Sequence, residues 1–95
     1  MAYYFIANIK IHNPVDYQKY LDRCQHVFDK YSGKYLVVDN DPVVLEGKWE
    51  FDRIVLISFP TVEDFNDWYH SPDYQEIVKY RLENALCNTI LAKGL

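Results

Sequence analysis

Residues 53–59, Arg-Ile-Val-Leu-Ile-Ser-Phe, present apolar side chains to both faces of a strand. A strand with one wet face alternates apolar with polar, so this segment demands cover above and below. Tyr3 to Ile11 behaves alike over its first half. Tyr3, Phe5, Ala7, Ile9 and Ile11 are apolar on one side, and Tyr4 and Ile6 on the other, before Asn8 and Lys10 turn it polar. Lys34 to Asp39 is another apolar strand. A fold of this chain has two sheet faces to bury.

The intervening segments read as capped helices. Asn13-Pro14-Val15-Asp16 supplies an N-cap, a proline at the first helical position and an acid near the positive helix end. The stripe from Tyr17 and Tyr20 through Cys24, Val27 and Phe28 predicts a helix to about Tyr31, with Gly33 as a left-handed C-terminal cap. Pro60 stops the central strand, and Thr61 with Asp64 opens a short helix to about Tyr69. Ser71-Pro72-Asp73 starts a longer helix to about Leu86, with Tyr74, Ile77, Val78, Leu82 and Ala85 on one face. Asn40-Asp41-Pro42 interrupts the second strand, Val43 to Glu46 is expected to resume it, and Asn88 to Lys93 forms the last.

The order is β-α-β-β-α-β in a single domain over residues 1–95, the ferredoxin-like α+β arrangement: an antiparallel four-stranded sheet with its helices on one face. That layout leaves the second face bare, several hundred Å² of apolar surface, more than soluble monomers tolerate. The expected cover is the same face of another copy, a homodimer through sheet faces in which two sheets close a dimeric α+β barrel.

A net charge of −4, with the ten Lys and Arg dispersed among fourteen acids, argues against a nucleic-acid role. No run approaches the roughly 18 apolar residues of a membrane span. Met1 to Phe5 enters strand-like sequence without a positive flank, so no signal peptide is expected and the location is expected to be cytoplasmic. Cys24 and Cys87 are then expected to be reduced, and they form no metal or redox motif. His12, His26 and His70 have no metal-ligand spacing, and there is no Gly-rich phosphate loop, so no metal and no cofactor is predicted.

Three features carry potential chemistry. Arg81 falls within the apolar stripe of the last helix, where a guanidinium costs several kcal/mol unless paired. It is a structural partner of a sheet carboxylate, Glu46 being the best placed, or a side chain that snorkels out to water, or else a clamp for a small anionic or carbonyl ligand, suited by its donor fork. Glu46-Gly47-Lys48-Trp49 sets a carboxylate beside an indole, an arrangement that raises a carboxyl pKa and can make a general base, or else is a plain turn. Trp68 to Tyr74 places Tyr69, His70 and Tyr74 around a helix junction, as pocket walls or as simple packing. Ser71 is more simply a helix cap than a nucleophile.

Leu45-Glu46-Gly47-x-Trp49, Arg53-Ile54-Val55 leading to Phe59-Pro60, Trp68-Tyr69-x-Ser71-Pro72-x-Tyr74-Gln75 and Arg81, together with Gly33-Lys34-Tyr35-Leu36, resemble domain-of-unknown-function family 1330 over nearly the whole chain. The resemblance implies a dimeric α+β barrel, from the superfamily that also holds antibiotic-biosynthesis monooxygenases, haem-degrading enzymes and muconolactone isomerases. It implies no activity. The chain departs from the family pattern at Ser58, where an acid is usual, and at Ser32-Gly33, where the family has a glycine pair. Three functions remain open: a small-molecule enzyme in a helix–sheet cleft with Glu46 as base, Arg81 as clamp and Trp49, Tyr69 and Tyr74 as walls; a ligand-binding or sensing module in that cleft; or a purely structural dimer.

Overall fold

In the computed structural model, which describes residues 1–95, four strands and three helices follow one another as β1 (Tyr3–Ile11), α1 (Pro14–Phe28), β2 (Lys34–Asp39), β3 (Arg53–Phe59), α2 (Val62–Tyr69), α3 (Pro72–Asn84) and β4 (Ala85–Lys93). The strands make one antiparallel sheet in the order β2-β3-β1-β4. The fold is ferredoxin-like α+β, as the order of elements predicts.

The helices start where the caps predict. Asn13, Thr61 and Ser71 each accept a hydrogen bond from the backbone N–H three residues on, at 3.2, 3.1 and 3.1 Å. Ser71 also donates to the Trp68 carbonyl at 2.8 Å, so one buried hydroxyl ends α2 and begins α3. At the far end of α3 the chain enters β4 directly through an extended Ala85. The freed Asn84 carbonyl accepts from the backbone N–H groups of His12 and Asn13 at 2.8 and 3.2 Å, which ties this end to the start of α1.

Period-two alternation divides the sheet. Phe5, Ala7 and Ile9 of β1 and Val55, Ile57 and Phe59 of β3 are buried under the helices, where Tyr17, Phe28, Trp68, Tyr74 and Val78 meet them. Ile6, Leu56 and Ile90 share the opposite, open face, since Ile6 pairs with Leu56 on one side and Ile90 on the other. Ile90 remains 61% exposed there. Ser58 lies on this open face too, opposite Tyr4 and Lys34.

Four local expectations are revised. Helix α1 stops at Phe28, capped by Asp29 in right-handed conformation, and Tyr31 follows it in a turn. Gly33 has no positive φ; Gly47 does. Glycine is required at 33 by crowding instead, because an added Cβ would lie 2.6 Å from Phe28 Cζ and 2.7 Å from Phe59 Cε1. Val43 to Glu46 joins no strand, since Pro42 cannot donate to a ladder and the residues after it do not return to one. Strand β4 begins at Ala85 rather than Asn88, its first residues paired with Ile11, Lys10 and Ile9.

Gly33→Ala should therefore destabilise by about 1–3 kcal/mol through overpacking against two rings. The exposed neighbour substitution Ser32→Ala should stay within about 0.5 kcal/mol. Urea melts of the two variants check this, and equal midpoints would remove the crowding explanation.

Candidate functional site

Between the helices and the buried sheet face lies a cavity of ≈ 30 Å³. Its floor is the apolar row Phe5, Ala7 and Ile9 with Val55 and Ile57, and α1 contributes Tyr17, Tyr20 and Cys24. Two arginines line it, Arg81 from α3 and Arg53 from the first position of β3.

Arg81 is 2% exposed. No carboxylate lies within ion-pair distance; the two salt bridges of the chain, Lys19–Asp16 and Lys30–Asp73, are both on the surface. The Tyr74 hydroxyl and Cys87 thiol approach the guanidinium, yet neither Nη1 nor Nη2 makes a hydrogen bond of acceptable length and angle. The guanidinium carbon is 5.9 Å from the Tyr20 ring centroid, a cation–π contact. Burial opposes the charge, Tyr74, Tyr20 and Cys87 favour it, and the balance leaves the pKa above arginine's ordinary value. The side chain is thus a buried, permanent cation without a counter-ion.

The surrounding hydroxyls are held protonated. Tyr20 and Tyr74 share a buried hydrogen bond of 2.8 Å between their hydroxyls. Burial, with Tyr74 beside it, pushes the Tyr20 pKa well up. Burial also raises Tyr74, though Arg81 and Tyr20 pull it back. Tyr17 is pushed up to about 12 by burial, against the opposing charges of Arg53 and Arg81, so both arginines act on one phenol. Burial raises Tyr35 and Cys24 as well.

The residues singled out in the sequence fall in two places. Arg81 and Tyr74 are together; Tyr69 is the next ring outward, 5.7 Å from Tyr74 and stacked on Phe65. His70 caps the C-terminus of α2, exposed, with its ring edge-on to Tyr69. Glu46 and Trp49 stand in the β2–β3 connection, beside Val43, Leu45 and Ile54. Ile54 belongs to the open face, so within one chain this group is across the sheet from Arg81 and no Arg81–Glu46 pair forms. Sequence reading put Tyr17, Tyr20 and Cys24 in the helix stripe but did not assign them to a cavity. Nor did it give Arg53 or Tyr35 a role in a site, although both stand in the segments that carry the family resemblance. The available signal for Arg53 was a cation opening a strand that is otherwise apolar on both faces.

The structure is similar to a protein of unknown function from Rhodopseudomonas palustris, with a TM-score of 0.79 and 21% identity over 99% of this chain and 82% of that one. SnoaB, a cofactor-independent oxygenase from Streptomyces nogalater, superposes with a TM-score of 0.73 at 9% identity, covering 99% of this chain and 93% of the other. A protein from Agrobacterium tumefaciens gives 0.64 at 13% identity over 100% and 94%. At these identities the likeness is one of fold. No curated protein matches the chain. A family described as a domain of unknown function matches residues 2–95. The chain belongs to DUF1330.

In this DUF1330 member the buried phenols set an alkaline limit. Tyr17 has a folded pKa of about 12 against an ordinary 10.0. A raised folded pKa means that the native state holds its proton more tightly, so stability is complete below pH 10 and falls as pH rises through the folded value. Tyr17 alone should remove about 3 kcal/mol between about pH 10 and 12. Urea melts from pH 8 to 11.5 check this, with Tyr17→Phe expected to flatten the decline.

Proposed function

We propose that this protein binds a small anionic or carbonyl-bearing metabolite in the helix–sheet cleft, with Arg81 holding its charged head. One observation carries the reading: a guanidinium 2% exposed, with both terminal nitrogens unpartnered, beside an apolar cavity. An unpaired buried cation costs several kcal/mol, and a structural role would ordinarily supply its carboxylate within the fold. An acceptor from a ligand offsets that cost, and a planar fork is suited to carboxylate geometry.

Binding is favoured over catalysis by the same side chains. Burial pushes Tyr17, Tyr20, Tyr35 and Cys24 all up in pKa, so near neutral pH they keep their protons and offer hydrogen bonds rather than act as bases. An enzymatic reading is supported by the fold shared with the oxygenase SnoaB, and it would use these groups as donors to a ligand oxygen.

We also read the protein as a homodimer closed through its open sheet faces, in the cytoplasm, where the free thiols of Cys24 and Cys87 persist. Ile6, Leu56 and Ile90 form one apolar row across three strands, and Leu86 in β4 is 52% exposed.

Arg81→Leu should fold with at least the parent's stability, because it removes an unpaired buried charge while keeping bulk. It should also abolish any rise in melting temperature that acetate or pyruvate gives the parent at constant ionic strength. A loss of more than about 3 kcal/mol in the variant, beyond an ordinary substitution, would assign Arg81 to structure. For the assembly, light scattering coupled to size exclusion should give twice the chain mass of 11.4 kDa. Leu56→Glu should give a folded single chain, because Leu56 lies on the open face.

A further inference from the structure

The cleft holds more unsatisfied hydrogen-bonding capacity than Arg81 alone. Arg81 Nη1 and Nη2, Arg53 Nε and Trp68 Nε1 are buried without partners, and the three residues line the same cavity. All four are donors. A molecule that satisfies them has acceptors and no need of donors, which describes an anion better than an alcohol, amine or amide.

The two arginines differ in position. Arg81 is at the depth of the cavity, under Tyr20 and Tyr74. Arg53 is half-buried, and its Nη1 reaches outward to donate to Asn40 Oδ1 at 2.9 Å, leaving Nε toward the interior. A space of ≈ 30 Å³ takes a head group and not a whole metabolite. A ligand with its carboxylate against Arg81 therefore extends beyond that space, and the other cation lining the cavity is the half-buried Arg53. Tyr35, which also lines the cavity, belongs to the edge strand β2, whose pairing with β3 shifts register between Tyr35 and Val37.

We infer that the cleft selects carboxylates carrying a second oxygen acceptor, the class of short 2-oxo acids and dicarboxylates, with Arg81 on the first group and Arg53 Nε on the second. The inference rests on the proposed ligand-binding role of Arg81, and it adds Arg53 as the residue that sets specificity. One buried and one half-buried cation, with no acid lining the cavity, favour a ligand with two acceptor ends over a simple monocarboxylate.

Isothermal titration with acetate, pyruvate and succinate at constant ionic strength, on the parent, Arg53→Gln, Arg53→Lys and Arg81→Gln, tests it. Pyruvate or succinate should bind the parent at least tenfold more tightly than acetate. Arg53→Gln should erase that ratio and leave acetate binding in place. Arg53→Lys, which keeps the charge but loses Nε and the fork, should retain only part of it, and stands in should the glutamine variant fail to melt cooperatively. Arg81→Gln should lose all three ligands. Equal affinity for acetate and the two-acceptor probes, or a ratio unmoved by both Arg53 variants, would overturn the role of Arg53 while leaving Arg81 as a clamp. No binding of any probe to the parent would overturn both.

Discussion

The position of β1 governs the rest of the molecule. It pairs with β3 from Tyr3 to Ile9 and with β4 from Tyr3 to Ile11, so it is hydrogen-bonded along both edges and cannot slip without breaking two ladders. That register fixes Phe5, Ala7 and Ile9 beneath the helices and turns Tyr4, Ile6 and Asn8 to the open side. Asp52 reinforces it, donating its backbone N–H to the Ile9 carbonyl at 2.8 Å and accepting from the Ile11 N–H at 2.8 Å. A slip of one residue would exchange the core row with the open row and remove the floor of the cavity.

Aromatic packing translates that sheet into a site. Trp68 stacks on Phe59 at 5.5 Å and lies 4.3 Å from Tyr74, which in turn is hydrogen-bonded to Tyr20 of α1. The three helices are thereby held to the sheet and to one another by rings with few rotatable bonds, worth about 0.5–1.5 kcal/mol per pair beyond burial. Within this ring cluster the Tyr20 face is the contact the buried Arg81 guanidinium makes in place of an acid. The phenols around it remain neutral donors whose pKa values are raised, so they give the cavity polarity without supplying a counter-charge.

Membership of DUF1330 and the shared fold of SnoaB place the chain in an architecture, while the chemistry is carried by side chains that the architecture leaves free to vary. Ser58 illustrates the distinction. Ser58, the position at which the resemblance implies an acid, lies on the open sheet face, opposite Tyr4 and Lys34. It does not line the cavity of the two arginines.

Local signals decided most of the elements. Caps at Asn13, Thr61 and Ser71, prolines at the first helical positions and the alternation of Tyr3–Ile11 and Arg53–Phe59 are short-range effects, so strand and helix identities and the ferredoxin-like order were legible in the chain. The anomaly of a cation on an apolar helix face was legible too, because Arg81 breaks a periodic pattern. Its partner was not. Glu46 was the best-placed acid in the sequence, but the parity of β3 puts the Glu46–Trp49 loop beside Ile54 on the open face and Arg81 over Val55 and Ile57 on the other, a distinction that pairing register alone creates. Gly33 likewise looked like a helix cap in sequence and is in fact a close approach of Phe28 and Phe59, residues 31 positions apart. Local sequence therefore determined which segments are strands and helices and which residue is out of place. Only the tertiary structure decided that Arg53, Arg81 and the phenols converge, because convergence depends on strand order and on packing between residues distant in the chain.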